Sequence, residues 1–341
     1  MRVYGRAALT GGTDADTDAG LGRKLLRQIV GVPAGSTQLP RLVEALIAGP
    51  DDQEAYTALE SRVAQALNED PRLEAAANEM VMAFLRRRIE AGKTRAMVEL
   101  GDLLRCQEDY DAARAAYQQA IDSGHAHALI DLAHLLWWDL GDDGGARAAF
   151  RQAASSGDAD VAAEALVELG RLLMMSQRDY RGARVCFEQA IDSGHDEWAP
   201  AAMVGVASLL EKQGDTGGAR LAYQRAIESS NADWAARASL FLGKLLEKNG
   251  DKEGAKVAYH RVIDSGSTDW SPGALTDLLK LLRDQDDLEG ARDAYRKATE
   301  TRNPDAPYAL VVIGQILEGR GDAEGASRAF RSAADAGYQD S

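Results

Sequence analysis

Cysteine is nearly absent: Cys106 and Cys186 are the only two in 341 residues. They lie 80 positions apart, in different copies of a repeat, which is too far to bridge if the copies stack. A disulfide framework is therefore excluded, and a reducing compartment is expected. No run of about 18 apolar residues occurs, so no membrane-spanning helix is expected. The opening MRVYGRAALTGGTDADTDAG has no apolar core of a secretory signal, and the expected location is cytoplasmic. Positive charge is also short. Lys and Arg total 39 against 54 Asp and Glu, a net charge of −15. That balance disfavours nucleic acid and anionic membrane surfaces as partners, because both polyanions need clustered cations. Period-two runs of β-branched residues are missing, so no strands are expected and no phosphate loop follows one. His127, Asp131 and His134 share one helical face but have no fourth ligand, so neither a metal nor any other cofactor is expected. No nucleophile–base arrangement emerges from the spacings, and the chain reads as a non-enzyme.

Aromatic residues make up only 6% of the chain, yet seven of them keep a register. Tyr117, Phe150, Phe187, Tyr223, Tyr259, Tyr295 and Phe330 follow one another at intervals of 33, 37, 36, 36, 36 and 35. Four positions before each stands an alanine, from Ala113 to Ala326, and eight before each an aspartate, from Asp109 to Asp322. A period of this length marks stacked supersecondary units rather than one globular core. Each unit reads as two helices. The first carries an LGxLL-like core, as in Leu242-Gly243-Lys244-Leu245-Leu246. A Gly-Asp turn follows in several copies; glycine stops the first helix and aspartate caps the second. The expected fold is all-α, an α-solenoid of about seven helix-turn-helix repeats over residues 93–341. Residues 1–19 read as a disordered tail, and 20–92 as a non-repetitive N-terminal helical domain punctuated by Pro40, Pro50 and Pro71. Leu85 aligns with the aromatic slot, as if this domain ended in a degenerate half-repeat.

Leu242-Gly243, Ala255, Tyr259 and the third alanines Ala120, Ala190 and Ala226 resemble the tetratricopeptide repeat family over residues 94–341. The usual tryptophan of the first helix is missing, glycine replaces the closing proline, and the unit is about two residues longer than the family's 34. The resemblance implies a protein- or peptide-binding scaffold whose first helices line a concave groove. The groove residues it implies are His134, Trp137, Trp138, Arg171, Met174, Met175, Lys212, Lys244, Lys280 and Arg283. Their amino-terminal half is aromatic and Met-rich and suits an adaptable protein surface. Their carboxy-terminal half is basic and suits a carboxylate or an acidic segment. Against this stands a plainer reading: the two tryptophans pack on a longer turn, and the lysines form a solvated face. Some family members clamp a terminal carboxylate with Lys and Asn, but Val98 and Asp102 occupy the matching positions here.

Trp198, Trp234 and Trp270 recur every 36 residues, each just before a first helix. They read as hydrophobic staples, or alternatively as a ladder that grips a ligand. The run Arg86-Arg87-Arg88 reads as a solvated or interdomain face. A peptide- or ligand-responsive regulator is the alternative function, although 20–92 shows no basic recognition helix. Ile121, Ile191, Ile227 and Ile263 occupy a slot facing the next repeat, and Thr299 and Ala334 hold the same slot in the last two copies. That less adhesive end predicts a monomer with a frayed final helix.

Overall fold

The computed structural model describes residues 92–338 and, before them, residues 82, 85, 86 and 88–90. The tail expected at 1–19 lies outside the described residues, as does nearly all of the N-terminal domain expected at 20–92. Among the described residues there are fourteen α-helices, one π-helical turn and no strand. The chain divides into two compact units, Met1–Asp142 and Asp143–Ser341.

The first unit contains α1 (Arg95–Cys106), α2 (Tyr110–Asp122), α3 (Ala128–His134) and the π turn Leu135–Asp139. Helix α2 packs against α1 on one side and against α3 and the π turn on the other. Leu85 is fully buried, and Arg88 bonds Glu99 at 2.8 Å with both side chains largely covered. This part of the basic run is therefore a packing contact.

The second unit begins with α4 (Asp143–Ala154), a B helix. Five A/B pairs follow: α5 (Ala159–Met175) with α6 (Tyr180–Asp192), α7 (Trp198–Gln213) with α8 (Thr216–Ile227), α9 (Ala232–Lys248) with α10 (Lys252–Asp264), α11 (Ser271–Asp284) with α12 (Leu288–Glu300), and α13 (Ala306–Gly319) with α14 (Ala323–Asp335). Each A helix packs on its own B helix and on the B helix before it. Successive A helices also touch, α5 with α7, α7 with α9, and α11 with α13. The architecture is the α-solenoid of paired helices that the period requires.

Close approach explains the small residues. Tyr117, Phe150, Phe187, Tyr223 and Tyr259 are all buried. A Cβ added at Gly243 would lie 2.5 Å from the ring of Tyr259, and one at Gly101 would lie 2.5 Å from the ring of Tyr117. The ring thus lies directly against a bare stretch of the A helix, where any side chain would hold the helices apart.

The turns follow the same economy of space. Asp179, Asp215, Asp251, Asp287 and Asp322 each accept a hydrogen bond at 2.8–2.9 Å from the backbone N–H three residues on, and that residue is glycine each time. A Cβ at Gly254 would sit 2.6 Å from an oxygen of Asp251, so glycine lets the carboxylate close in. In the first repeat the third position is Ala112, and the cap bond is longer, 3.2 Å.

The residue before the capping aspartate is left-handed. Glycine fills it at Gly214, Gly250 and Gly321, with φ of 81, 82 and 80°, but Glu108 and Arg178 adopt φ of 62 and 52°. An L side chain in that region costs about 1–2 kcal/mol, partly offset by glycine's greater freedom when unfolded. We predict that Glu108→Gly and Arg178→Gly each stabilise the protein by about 0.5–1 kcal/mol in denaturant unfolding. A loss of stability in both would refute this account of the turn.

Candidate partner-binding face

In the first unit, three of the expected groove residues come together. His134 ends α3, and the π turn then carries Trp137 and Trp138. The π turn inserts an extra residue into the helix, a device that re-aims side chains. Trp137 is half-buried, whereas Trp138 is 62% exposed. The Trp138 ring stands 5.4 Å from His134 and 5.5 Å edge-on from Trp137. Arg105 anchors the turn by donating from Nε to Asp139 at 2.6 Å. Leu140, also exposed, extends the apolar patch. His127 pairs with Asp131 at 3.3 Å, while His134 is turned onto Trp138.

In the second unit, the expected residues are distributed along the A helices. Met175 at the end of α5 is 64% exposed, but Met174 is buried and belongs to the core, as do Val167 and, in the first unit, Ile130. Arg171 bonds Glu168 at 2.7 Å one turn earlier. Lys244 and Lys280 reach the same carboxylate, Asp277, at 3.3 and 3.7 Å. Arg283 pairs with its neighbour Asp284. Lys212 and Lys248 are exposed, and among the described residues no carboxylate pairs with either. A cleft of about 460 Å³ opens between α9 and α11, lined by Lys244, Glu247, Lys248, Tyr259 and Asp277.

Two arrangements on this face escaped the sequence reading. First, the repeat tyrosines do more than fill space. Tyr117 donates to Asp102 at 2.7 Å, Tyr259 to Glu247 at 2.7 Å, and Tyr223 to Glu211. The ring passes between the helices and its hydroxyl emerges at an A-helix carboxylate. The legible signal was the acid twelve positions before the tyrosine, at Glu211 and Glu247, against Met175 twelve positions before Phe187. Burial raises the pKa of all three phenols, and the adjacent carboxylate raises it further. A phenol with a raised folded pKa contributes stability below its unfolded value of about 10 and loses it as pH climbs beyond. We predict that these tyrosines ionise only with unfolding. Absorbance at 295 nm should show a late step coincident with loss of helical circular dichroism; full titration of all tyrosines before that loss would contradict it.

Second, the tryptophans expected as staples behave otherwise. A staple would place each one just outside its helix, but Trp198 opens α7, Trp234 lies in the first turn of α9, and only Trp270 stands at a cap position. Arg237 explains two of them. Its guanidinium lies 4.6 Å from the ring of Trp234, 5.6 Å from Phe241 and 5.0 Å from Trp270 of the next repeat. Burial first, then the nearby Arg171, pull its pKa down to about 10. The rings thus clasp the chain's own arginine by cation–π attraction between successive A helices.

These features define a helical repeat protein. Comparison with known proteins narrows the class. The tetratricopeptide repeat model matches residues 98–161, 167–234, 207–267 and 276–341, and the chain belongs to the tetratricopeptide repeat family. No curated protein matches it in sequence. Among solved structures it is similar to a signal transduction ATPase with numerous domains bearing a tetratricopeptide repeat sensor, from Pyrococcus horikoshii. That match has 13% identity and a TM-score of 0.51, covering 92% of this chain and 51% of that one, about half its length. The MamA protein matches at 21% identity over 50% of this chain and 91% of that one, with a TM-score of 0.39. The pilF protein of Pseudomonas aeruginosa matches at 17% identity over 69% and 99%, with a TM-score of 0.45. At such identities the likeness concerns the fold.

Proposed function

We propose that the protein is a non-enzymatic scaffold or adaptor that binds a protein or peptide partner through the faces of its A helices. The family fold is in general a protein-interaction scaffold without catalysis. The observation that carries the finer reading is Trp138, a large aromatic side chain held 62% exposed by an ion-paired π turn. Exposed aromatics on a pre-organised backbone lose little entropy on binding and dominate interface energies. In the second unit, Met175, Lys212 and Lys248 offer a flexible apolar contact and two uncompensated cations to a partner with an acidic segment. The expected working form is a cytoplasmic monomer bound to protein, not to nucleic acid or membrane. Among the described residues no helix is long and apolar enough to cross a membrane.

The test is co-purification of the intact chain from its native cell, followed by mass spectrometry, with Trp138→Ala in parallel. A stoichiometric protein partner retained by the wild type and lost by the variant is expected. Recovery of a small bound peptide alone would favour a ligand-responsive regulator. Equal recovery by both chains would remove Trp138 from the binding face.

A further inference from the structure

The face made by the B helices of the second unit carries a pattern that the A-helix reading leaves unused. Val185, Leu221 and Val257 occupy the same position on α6, α8 and α10, two residues before the repeat aromatic. They are 48, 64 and 65% exposed. In the next two B helices that position is Asp293 and Arg328, so the apolar row is confined to three consecutive repeats. At its start, a cleft of about 600 Å³ lies between α4 and α6, floored by Leu166, Leu169 and Leu173 of α5 and rimmed by Arg151, Arg181 and Val185.

Charge singles out the same surface. Arg181 lies one turn before Val185, and Arg225 and Arg261 lie one turn after Leu221 and Val257, each on the face of its rung. Among the described residues none of these three arginines, nor Arg151, has a carboxylate within ion-pair distance. By contrast, Arg292, Arg296, Lys297 and Arg328 of α12 and α14 are all paired. In a chain of net charge −15, a row of unpaired guanidinium groups beside an exposed apolar row is a local reversal of sign. The acids on this face are Glu188, Glu253, which Lys256 engages, Asp179, which lines the cleft and caps α6, and, two turns beyond the apolar row, Asp192, Glu228 and Asp264, the last engaged by Lys297.

We propose that the B-helix face from α4 to α10 is a second docking surface, and that its occupant is an acidic amphipathic helix of a partner protein. Each B helix of this stretch packs on the A helices either side of it, and an A helix stands between it and the next B helix. A helix laid across the B helices meets the apolar row with one face. The occupant therefore carries an apolar stripe, one side chain of which enters the cleft over Leu169, with Asp or Glu beside it to meet Arg151, Arg181, Arg225 and Arg261.

The probe is a synthetic amphipathic helical peptide with Leu along one face and Glu flanking each Leu, titrated by fluorescence anisotropy against the full chain. Its counterpart carries Lys in place of Glu. Saturable one-to-one binding of the Glu peptide alone is expected, weakened about tenfold or more by Leu221→Asp and by Arg225→Glu, and retained in Arg328→Glu. All three positions are exposed, so unchanged helical circular dichroism is the folding control. Absence of saturation at millimolar peptide overturns the proposal, as does equal binding of the Lys peptide. A loss in Lys244→Glu equal to that in Leu221→Asp would place the peptide on the A-helix face and likewise overturn it. Self-association of the wild type that Leu221→Asp abolishes would assign the apolar row to a second copy instead.

Discussion

Phe187→Ala should cost about 3–5 kcal/mol, the loss expected for a fully buried aromatic ring. The reason lies in what surrounds the ring. Phe187 is completely covered and lies between two A helices, and a Cβ added at either Gly170 of α5 or Gly205 of α7 would fall 2.6 Å from it. Truncation leaves a void walled by two glycines and Ala183, none of which has a side chain able to fill it. The complementary change is Gly170→Ala. Alanine gains about 1 kcal/mol in helix propensity over glycine. Here the new methyl meets a rigid buried ring, and overpacking of this kind costs about 1–3 kcal/mol. The net change should be destabilising. Pairing Gly170→Ala with Phe187→Leu should recover part of the loss, because the clash needs the ring. The measurement is denaturant unfolding by circular dichroism, with hydrogen exchange of α5 to α7 to locate the damage. A Gly170→Ala protein more stable than wild type would show that the ring does not hold the spacing of these helices.

Changing Trp137 and Trp138 to Ala should weaken partner binding by about 2 kcal/mol or more, roughly thirtyfold, with only the modest fall in melting temperature that half-buried Trp137 brings. Changing Trp234 and Trp270 should do the reverse. Trp138 projects into solvent and supports little of the core. Trp234 and Trp270 pack against the core of the second unit and clasp Arg237, whose Nε is buried without a hydrogen-bond partner. Removing the rings strips a partly desolvated guanidinium of its cation–π contacts, so the loss should appear in stability. Isothermal calorimetry on the co-purified partner, with thermal melts of both variants, separates the two. Equal loss of binding in both, or unfolding in both, would show that the exposed tryptophan is not the anchor.

The repeat period, the paired helices and the class of the fold were legible in the sequence because each rests on local chemistry repeated seven times. An aspartate caps the helix that follows it, whatever lies elsewhere. An alanine four residues before an aromatic marks a close helix contact in every copy. Left-handed turns could be placed wherever glycine preceded the aspartate, but not at Glu108 or Arg178, where the same backbone is imposed by the helices on either side. What the tertiary structure alone decided were relations between repeats. Met174 and Met175 are adjacent and chemically identical, yet one is core and the other exposed, because 100° of helix rotation turns one onto its neighbours. Three aromatic residues spaced like staples proved to include a clasp, since Arg237 reaches Trp270 only once α9 and α11 are stacked. Lys244 and Lys280 read as a free basic face until packing brought Asp277 between them. Local rules fix where helices begin, end and thin out; the partner of a long side chain is set by whichever element the stacking brings within its reach.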